Sequence, residues 1–151
     1  QGWENHWAEC FINLRVGPQL EMLKNNFINT EIKKKIKLKI RSELIKHKPN
    51  ISLVHGDLWS GNIGINQMNK GVIFDPACWW ADSEVDIAMT KLFGGFRREF
   101  YDGYKSIIDI KPGFNERIII YNFYHILNHA NMFGGSYCHQ VQSYIKNILN
   151  M

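Results

Sequence analysis

The chain has 151 residues, of which 45% are hydrophobic and 13% aromatic, and its formal net charge is only +4. This composition predicts one globular domain with its own core and excludes a disordered chain. No run of about 18 apolar residues occurs, so we expect no membrane span, and the first residues do not read as a signal peptide. Three widely spaced cysteines argue against a disulfide framework and favour a reducing, cytoplasmic location.

The first 48 residues predict three helices. Apolar residues including Trp3 recur at helical spacing over 3–15, the Gly17-Pro18 pair should break that pattern, and a second helix should continue to Phe27. Residues 31–48 predict an amphipathic helix with a basic outer face. Such a face can bind nucleic acid, but exposed charge runs are more often simply solvated, so we expect no nucleic-acid partner.

The periodicity changes to that of β-structure between residues 51 and 75. Residues 51–54 predict a short strand, and residues 63–65 and 72–74 predict a hairpin closed by a loop of about six residues. The short strand and this hairpin are the only β-structure that we predict.

Helical patterns return after the hairpin. Ser83 and Asp86 resemble a capping box at the start of one helix. Further helices are predicted around residues 100–104, over 114–133 and over 137–149. The predicted fold class is therefore α+β and mostly helical, with one small β-hairpin at the centre.

Asp57, Asn62 and Asp75 flank the predicted hairpin. Asn62 follows Asp57 by five positions, which is the spacing of the Asp and Asn in the catalytic loop of protein kinases. Asp75 lies where the chain leaves the hairpin, at the position expected for a second metal ligand. A carboxylate can accept the proton of an attacking hydroxyl, while one carboxylate and one amide oxygen are enough to hold Mg²⁺. Each residue alone is more often a turn residue, but their order behind His55-Gly56 indicates phosphoryl transfer.

The segments HGDLWSGN, VIFDPACWWADSEVDIAM and LFGGF resemble the fructosamine/ketosamine-3-kinase family, whose relatives are the aminoglycoside phosphotransferases within the protein-kinase-like fold. The resemblance runs through almost the whole chain and implies that residues 1–151 are a C-terminal catalytic lobe whose hairpin carries the catalytic loop. It also implies an ATP- and Mg²⁺-dependent kinase. The phosphate acceptor would be the sugar 3-hydroxyl of a small-molecule or protein-bound ketosamine. The resemblance implies that this reaction serves deglycation and protein repair.

The resemblance assigns roles to five residues. It implies that Asp57 is the base for the sugar hydroxyl and that Asn62 and Asp75 are Mg²⁺ ligands. It further implies that His55 supports the loop backbone and that Asp86 braces the catalytic loop from the following helix. Helix capping is an alternative role for Asp86 that does not exclude the brace.

Aromatic and histidine residues form a second group of candidates. Trp59, Trp79 and Trp80 lie near the loop in sequence and could line a substrate cleft, although core packing is as common a role. His125 and His129 share a helix face, and a pair at this spacing can bind zinc, but no third ligand is visible. The resemblance favours their lining the substrate cleft.

The nucleotide-binding parts of a kinase are not found in this sequence. Only Gly2 and Gly17 precede His55, so there is no glycine-rich loop, and the lysines at 33–39 lie on a helix and not on a strand. We therefore expect the N-terminal nucleotide-binding lobe to be missing from a chain that belongs to a longer protein. Alone, this chain should be incomplete and weakly active or inactive.

Two alternatives remain open at this stage. A related kinase could act on an aminoglycoside, choline or a similar amine. A lobe without its nucleotide-binding partner could also be a non-catalytic binding module. The intact set of Asp57, Asn62 and Asp75 favours an enzyme, because a pure binder would not need all three.

Overall fold

The computed structural model describes residues 6–23 and 27–151, which fall into two compact units. A helical unit contains the described residues up to 48 together with residues 119–151, and a central unit contains residues 49–118. The predicted helical position of Trp3 lies outside the described residues. Among those residues, every helix is too short or too polar to cross a bilayer.

The helical unit begins with one nearly continuous helical run. Helix α1 (Trp7–Phe11) passes through a π-helical turn (Ile12–Val16) into α2 (Gly17–Met22). The predicted break at Gly17-Pro18 is wrong, as is the continuation of the second helix to Phe27. Gly17 donates its N–H to the carbonyl of Ile12, five residues back, and the π-turn lets proline occupy the first turn of α2, where its missing N–H costs little.

Helix α3 (Thr30–Leu44) confirms the predicted amphipathic helix. The side chain of Asn29 caps it by accepting the N–H of Ile32 at 2.8 Å. Ile36, Ile40 and Leu44 recur every four residues and are buried, so this stripe forms the inner face.

Helices α6 (Phe114–Phe133) and α7 (Ser136–Leu149) confirm the two helices predicted at the end of the chain. Within the helical unit, the Trp7 indole donates to the hydroxyl of Tyr121 at 3.0 Å, and the Phe11 ring meets the Tyr121 ring edge-on at 5.3 Å. The large side chains buried completely in this unit include Phe11, Ile12, Leu20, Ile36, Ile40, Leu44, Ile120, Tyr121, Phe123 and Ile126.

The central unit contains two small antiparallel sheets where the sequence predicted one hairpin. Strands β2 (Ile63–Ile65) and β3 (Gly71–Ile73) form the predicted hairpin. Strand β1 (Ile51–Val54) pairs with a strand that was not predicted, β4 (Trp79–Asp82). The partner of β4 lies far away in sequence, so the sequence has no hairpin turn that would indicate the pairing.

Helices α4 (Glu84–Thr90) and α5 (Arg98–Lys105) follow β4. The predicted capping box at the start of α4 is wrong, because the side chain of Ser83 makes no capping hydrogen bond. The carboxylate of Asp86 instead accepts hydrogen bonds from two backbone N–H groups of the loop after β1.

A buried ion pair joins α4 to the first turn of α6 inside the central unit. Arg117 donates two hydrogen bonds to Glu84, at 2.6 and 2.8 Å, and both side chains are less than a tenth exposed. Arg117 also donates to the carbonyls of Lys111 and Pro112, and the Lys111 N–H donates to Glu84. The pair is therefore fully hydrogen-bonded, which is what makes a buried charge tolerable.

Replacing Arg117 by Met should leave the Glu84 carboxylate buried without its counter-charge. We expect the free energy of unfolding to fall by about 3–5 kcal/mol in urea denaturation. The matched control is Arg98→Met, since Arg98 forms an i,i+4 pair with Asp102 but is 89% exposed. That control should lose about 0.5 kcal/mol or less. Equal losses in the two variants would contradict the structural role given to the buried pair.

Candidate active site

The candidate residues lie on two connections between the same two sheets. Residues 55–62 lead from β1 to β2, and residues 74–78 lead from β3 to β4. The pairs Val54–Trp79 and Ile63–Ile73 close the sheets at the two ends of these connections. Asp57 and Asn62 are on the first connection and Asp75 is on the second, so the strand register brings the two segments side by side.

His55 joins the two connections directly. Its ring Nε2 donates to the carbonyl of Phe74 at 3.0 Å, and its backbone carbonyl accepts the N–H of Ala77 at 2.9 Å. Because Nε2 faces a carbonyl oxygen it carries the ring proton, which leaves Nδ1 to accept the Asp57 N–H at 3.3 Å. The buried imidazole therefore holds the backbone of Phe74 and of Asp57, and the His55 carbonyl holds the backbone of Ala77 on the other side of Asp75.

Gly56 allows the two connections to approach closely. Its φ is +81°, and a Cβ at this position would lie 2.2 Å from the carbonyl oxygen of Ala77 and 3.0 Å from the Trp79 ring. Only glycine combines that backbone conformation with that distance at no steric cost. The glycine of the HGD sequence is thus required by the packing of the second connection.

Asn62 fixes the orientation of Asp57. Its Nδ2 donates to the backbone carbonyl of Asp57 at 2.9 Å and to Oδ2 of the Asp57 carboxylate at 3.0 Å. Both partners are acceptors, so the amide nitrogen must face them and the amide oxygen points the other way. Within the described part of the chain, no hydrogen bond is made by Oδ1 of Asn62 or Oδ1 of Asp57.

Asp75 is exposed and has a left-handed backbone, with φ of +55°. Aspartate tolerates this region better than most residues, yet such conformations cost about 1–3 kcal/mol and persist only where the surroundings impose them. The hydrogen bonds of His55 to Phe74 and Ala77 supply that constraint. Among residues 6–23 and 27–151, no group forms a hydrogen bond or ion pair with the Asp75 carboxylate.

Asp86 braces the start of the first connection from helix α4. Its carboxylate accepts the N–H of His55 at 2.7 Å and the N–H of Gly56 at 2.9 Å. Burial raises the pKa of Asp86 above its ordinary value, while the hydrogen bonds from Gly56 and His55 work to lower the pKa. Two loop amides that would otherwise lack an acceptor are satisfied by one side chain.

Oxygen donors at this site suit a hard cation. Asn62 offers an amide oxygen and Asp75 a carboxylate, neither of them used by a protein partner in the described chain. Mg²⁺ takes oxygen ligands and keeps several waters, so two protein ligands are sufficient. The side chains present therefore fit Mg²⁺.

The three tryptophans do not form one surface. Trp59 is 37% exposed, lies over Gly61 and meets the Phe93 ring edge-on at 6.0 Å. Trp79 and Trp80 alternate along β4, so that Trp79 is 7% exposed and Trp80 is 61% exposed. Trp79 packs inside the central unit, and substrate contact by Trp59 or Trp80 stays a prediction.

His125 and His129 belong to the helical unit, whereas the acidic candidates belong to the central unit. His129 Nδ1 donates to the carbonyl of His125 at 2.8 Å. Burial lowers the pKa of His125 to about 3, with smaller contributions from His129 and Arg15. His125 is therefore neutral at physiological pH, and a place in the substrate cleft stays a prediction for both residues.

Comparison with known proteins identifies the family. A family model described as fructosamine kinase matches residues 1–151. The chain belongs to the fructosamine kinase family. The resemblance in the HGD and DPA segments is therefore confirmed.

Curated relatives and solved structures match nearly the whole chain. It is 46% identical to a "probable ketoamine kinase" of Vibrio parahaemolyticus over 98% of this chain and 51% of that protein. A "probable ketoamine kinase" of Synechocystis is 45% identical over 99% of this chain and 50% of that protein. A crystal structure of a "putative fructosamine-3-kinase" from Haemophilus somnus 129PT superposes with a TM-score of 0.86 at 34% identity, over 98% of this chain and 51% of that one. The chain spans about half the length of the curated relatives it matches.

The sequence did not reveal the backbone partners of the family's HGD histidine. The partners are the backbone carbonyl of Phe74 and the backbone N–H of Ala77, and no residue type in the sequence indicates such backbone contacts. Their contact with His55 is therefore visible only in the folded chain. Gly56 was the available signal, since a glycine beside a candidate base often marks a close backbone approach.

His125 gives a pH-dependent stability that can be measured. The unfolded chain binds a proton at His125 below about pH 6.5, while the folded protein excludes it until about pH 3. Stability should therefore fall as the pH drops through this window, by up to about 1.4 kcal/mol per pH unit from this residue.

We expect His125→Leu to flatten the dependence of unfolding free energy on pH, measured by urea denaturation from pH 6.5 to about 4. The control is His139→Leu, since His139 is exposed on α7. Parallel pH profiles for the His125 variant and the wild type would contradict the burial assigned to this imidazole.

Proposed function

We propose that this chain is the C-terminal catalytic lobe of a protein-kinase-like enzyme that transfers the γ-phosphate of ATP to the 3-hydroxyl of a ketosamine. The observation that carries the proposal is the pair of hydrogen bonds from Asn62 to Asp57, which orients the Asp57 carboxylate and leaves one oxygen of each side chain without a hydrogen-bond partner in the described chain. A base beside a metal ligand is what phosphoryl transfer to an alcohol requires.

Asp57 acts as the base. Its Oδ2 is held by Asn62, and its Oδ1 accepts the proton of the sugar hydroxyl as that oxygen bonds to the γ-phosphorus. The bond from the γ-phosphorus to the bridging oxygen breaks, ADP leaves with the electron pair, and Asp57 passes the proton to solvent. The hydrogen bond to His55 Nδ1 keeps the Asp57 backbone in place during this exchange.

Asn62 and Asp75 would hold Mg²⁺ through the amide oxygen and the carboxylate. When bound, the ion supplies positive charge that stabilises the negative charge on the phosphate oxygens. His55 keeps Asp75 at this position through its contacts with Phe74 and Ala77.

The acceptor class is proposed from the family. The names of the relatives point to ketoamines, and phosphorylation at the sugar 3-position would destabilise the adduct, giving a role in deglycation and protein repair in the cytoplasm. Because those relatives are about twice as long, we also propose that the glycine-rich loop and paired lysine of the nucleotide site come from an N-terminal lobe.

The test uses the full-length protein with fructosyl-lysine, ATP and MgCl₂, and it follows both ADP release and the mass of the product. Asp57→Asn keeps the shape of the side chain but removes the base. We expect kcat to fall by about 10²–10⁴-fold, with little change in KM. Asp102→Asn is the matched control, since Asp102 is exposed on α5, and its activity should equal that of the wild type.

Two results would contradict the proposal. Undiminished turnover by Asp57→Asn would remove Asp57 as the base. Turnover of an aminoglycoside or choline without turnover of fructosyl-lysine would remove the ketosamine as the substrate class.

A further inference from the structure

The central unit has a cavity that uses none of the candidate catalytic residues. This pocket, of about 550 Å³, is lined by residues from α4 and the position after it, from α5, from the connection between α5 and α6, and from the start of α6. None of its lining residues comes from the two connections at 55–62 and 74–78. Its volume lies within the range of small-molecule sites. Nothing in the proposed phosphoryl transfer needs it.

The pocket has an excess of positive charge. Lys91, Lys105 and Lys111 line it, against one acidic residue, Glu116. Lys111 pairs with the exposed Asp109 at 2.9 Å. In the part of the chain that the structure describes, neither Lys91 nor Lys105 pairs with a carboxylate. At least two ammonium groups are thus available to an anion.

Tyr101 makes one side of the pocket rigid. Its hydroxyl accepts the N–H of Phe96 at 3.1 Å and hydrogen-bonds the hydroxyl of Thr90 at 3.1 Å. The Lys91 ammonium lies 4.3 Å from the centroid of the Tyr101 ring, a cation–π contact that places the charge before any ligand arrives. The Lys91 side chain therefore loses less conformational freedom when a ligand binds.

The remaining walls add apolar surface and free backbone donors. Ile87, Ile110 and Phe114 give the pocket an apolar side. Helix α6 begins after Gly113, whose carbonyl accepts the Arg117 N–H but which has no side chain to cap the helix. Its first amides strengthen the positive potential, although the pocket and its lysines carry the inference.

We propose that this pocket binds a small molecule that has a phosphate group and an apolar or aromatic body. Lysine ammonium groups bind phosphate as point charges. The two negative charges of a phosphate dianion match the two positive charges of Lys91 and Lys105, whereas a carboxylate has only one. The apolar wall gives the body of the ligand a surface to cover. This site is independent of the proposed kinase function.

The test titrates phenyl phosphate into purified protein without ATP or Mg²⁺ and follows the backbone amide signals of Lys111 and of residues 113–116 by NMR. We expect a saturable shift of these signals, with a Kd of about 1 mM or tighter. Inorganic phosphate should compete more weakly, because it lacks the apolar body, and benzyl alcohol should not compete, because it lacks the charge.

Two variants separate the pocket from general charge attraction. Lys91→Gln combined with Lys105→Gln should weaken phenyl phosphate binding about tenfold or more. Lys70→Gln removes an exposed lysine in the turn between β2 and β3 and should leave binding unchanged. Each change is at an exposed side chain, so the fold should be retained.

The proposal is overturned if phenyl phosphate does not shift the amide signals of Lys111 and residues 113–116 saturably up to about 10 mM. It is also overturned if the lysine double variant and Lys70→Gln bind alike. Equal affinity for inorganic and phenyl phosphate would overturn the apolar part of the ligand assignment.

Discussion

The candidate site depends on one constraint: two chain segments connect the same pair of small antiparallel sheets. The strand pairs Val54–Trp79 and Ile63–Ile73 fix both ends of each segment. The segment with Asp57 and the segment with Asp75 must therefore run side by side, and His55 ties them together through one side-chain and one backbone hydrogen bond. Short strands of three or four residues are sufficient for this because each sheet has only to set a register.

The geometry around His55 has an energetic cost that the neighbouring residues offset. Gly56 and Asp75 both adopt left-handed backbone conformations, and the Asp86 carboxylate is largely removed from water. Asp86 in return satisfies the amides of His55 and Gly56, which would otherwise be left without acceptors at a cost of about 1–3 kcal/mol each. Strain and buried charge are thus concentrated where the proposed base and metal ligands are positioned, as is common at functional sites.

The sequence predicted the features that have a local signal. The apolar stripe of α3, the β2–β3 hairpin and the spacing from Asp57 to Asn62 can each be recognised within a short window, and the structure contains all three. Strand β4 was missed because its partner is distant in sequence. The break at Gly17-Pro18 was wrongly predicted because a π-turn accommodates the proline, and the Ser83–Asp86 capping box was wrong because a tertiary contact takes the carboxylate. Non-local pairing therefore accounts for much of what a local pattern could not predict.

Amide hydrogen exchange in the Asp86→Ala variant tests the central claim most directly, namely that Asp86 and His55 together hold the two segments. Removing the carboxylate should speed exchange at the His55 and Gly56 amides, and also at the Ala77 amide bound to His55, by about tenfold or more. The β2–β3 amides should change much less, and the exposed-site control Asp102→Ala should change none of them. Unchanged exchange at Ala77, or equal acceleration throughout the central unit, would contradict the account.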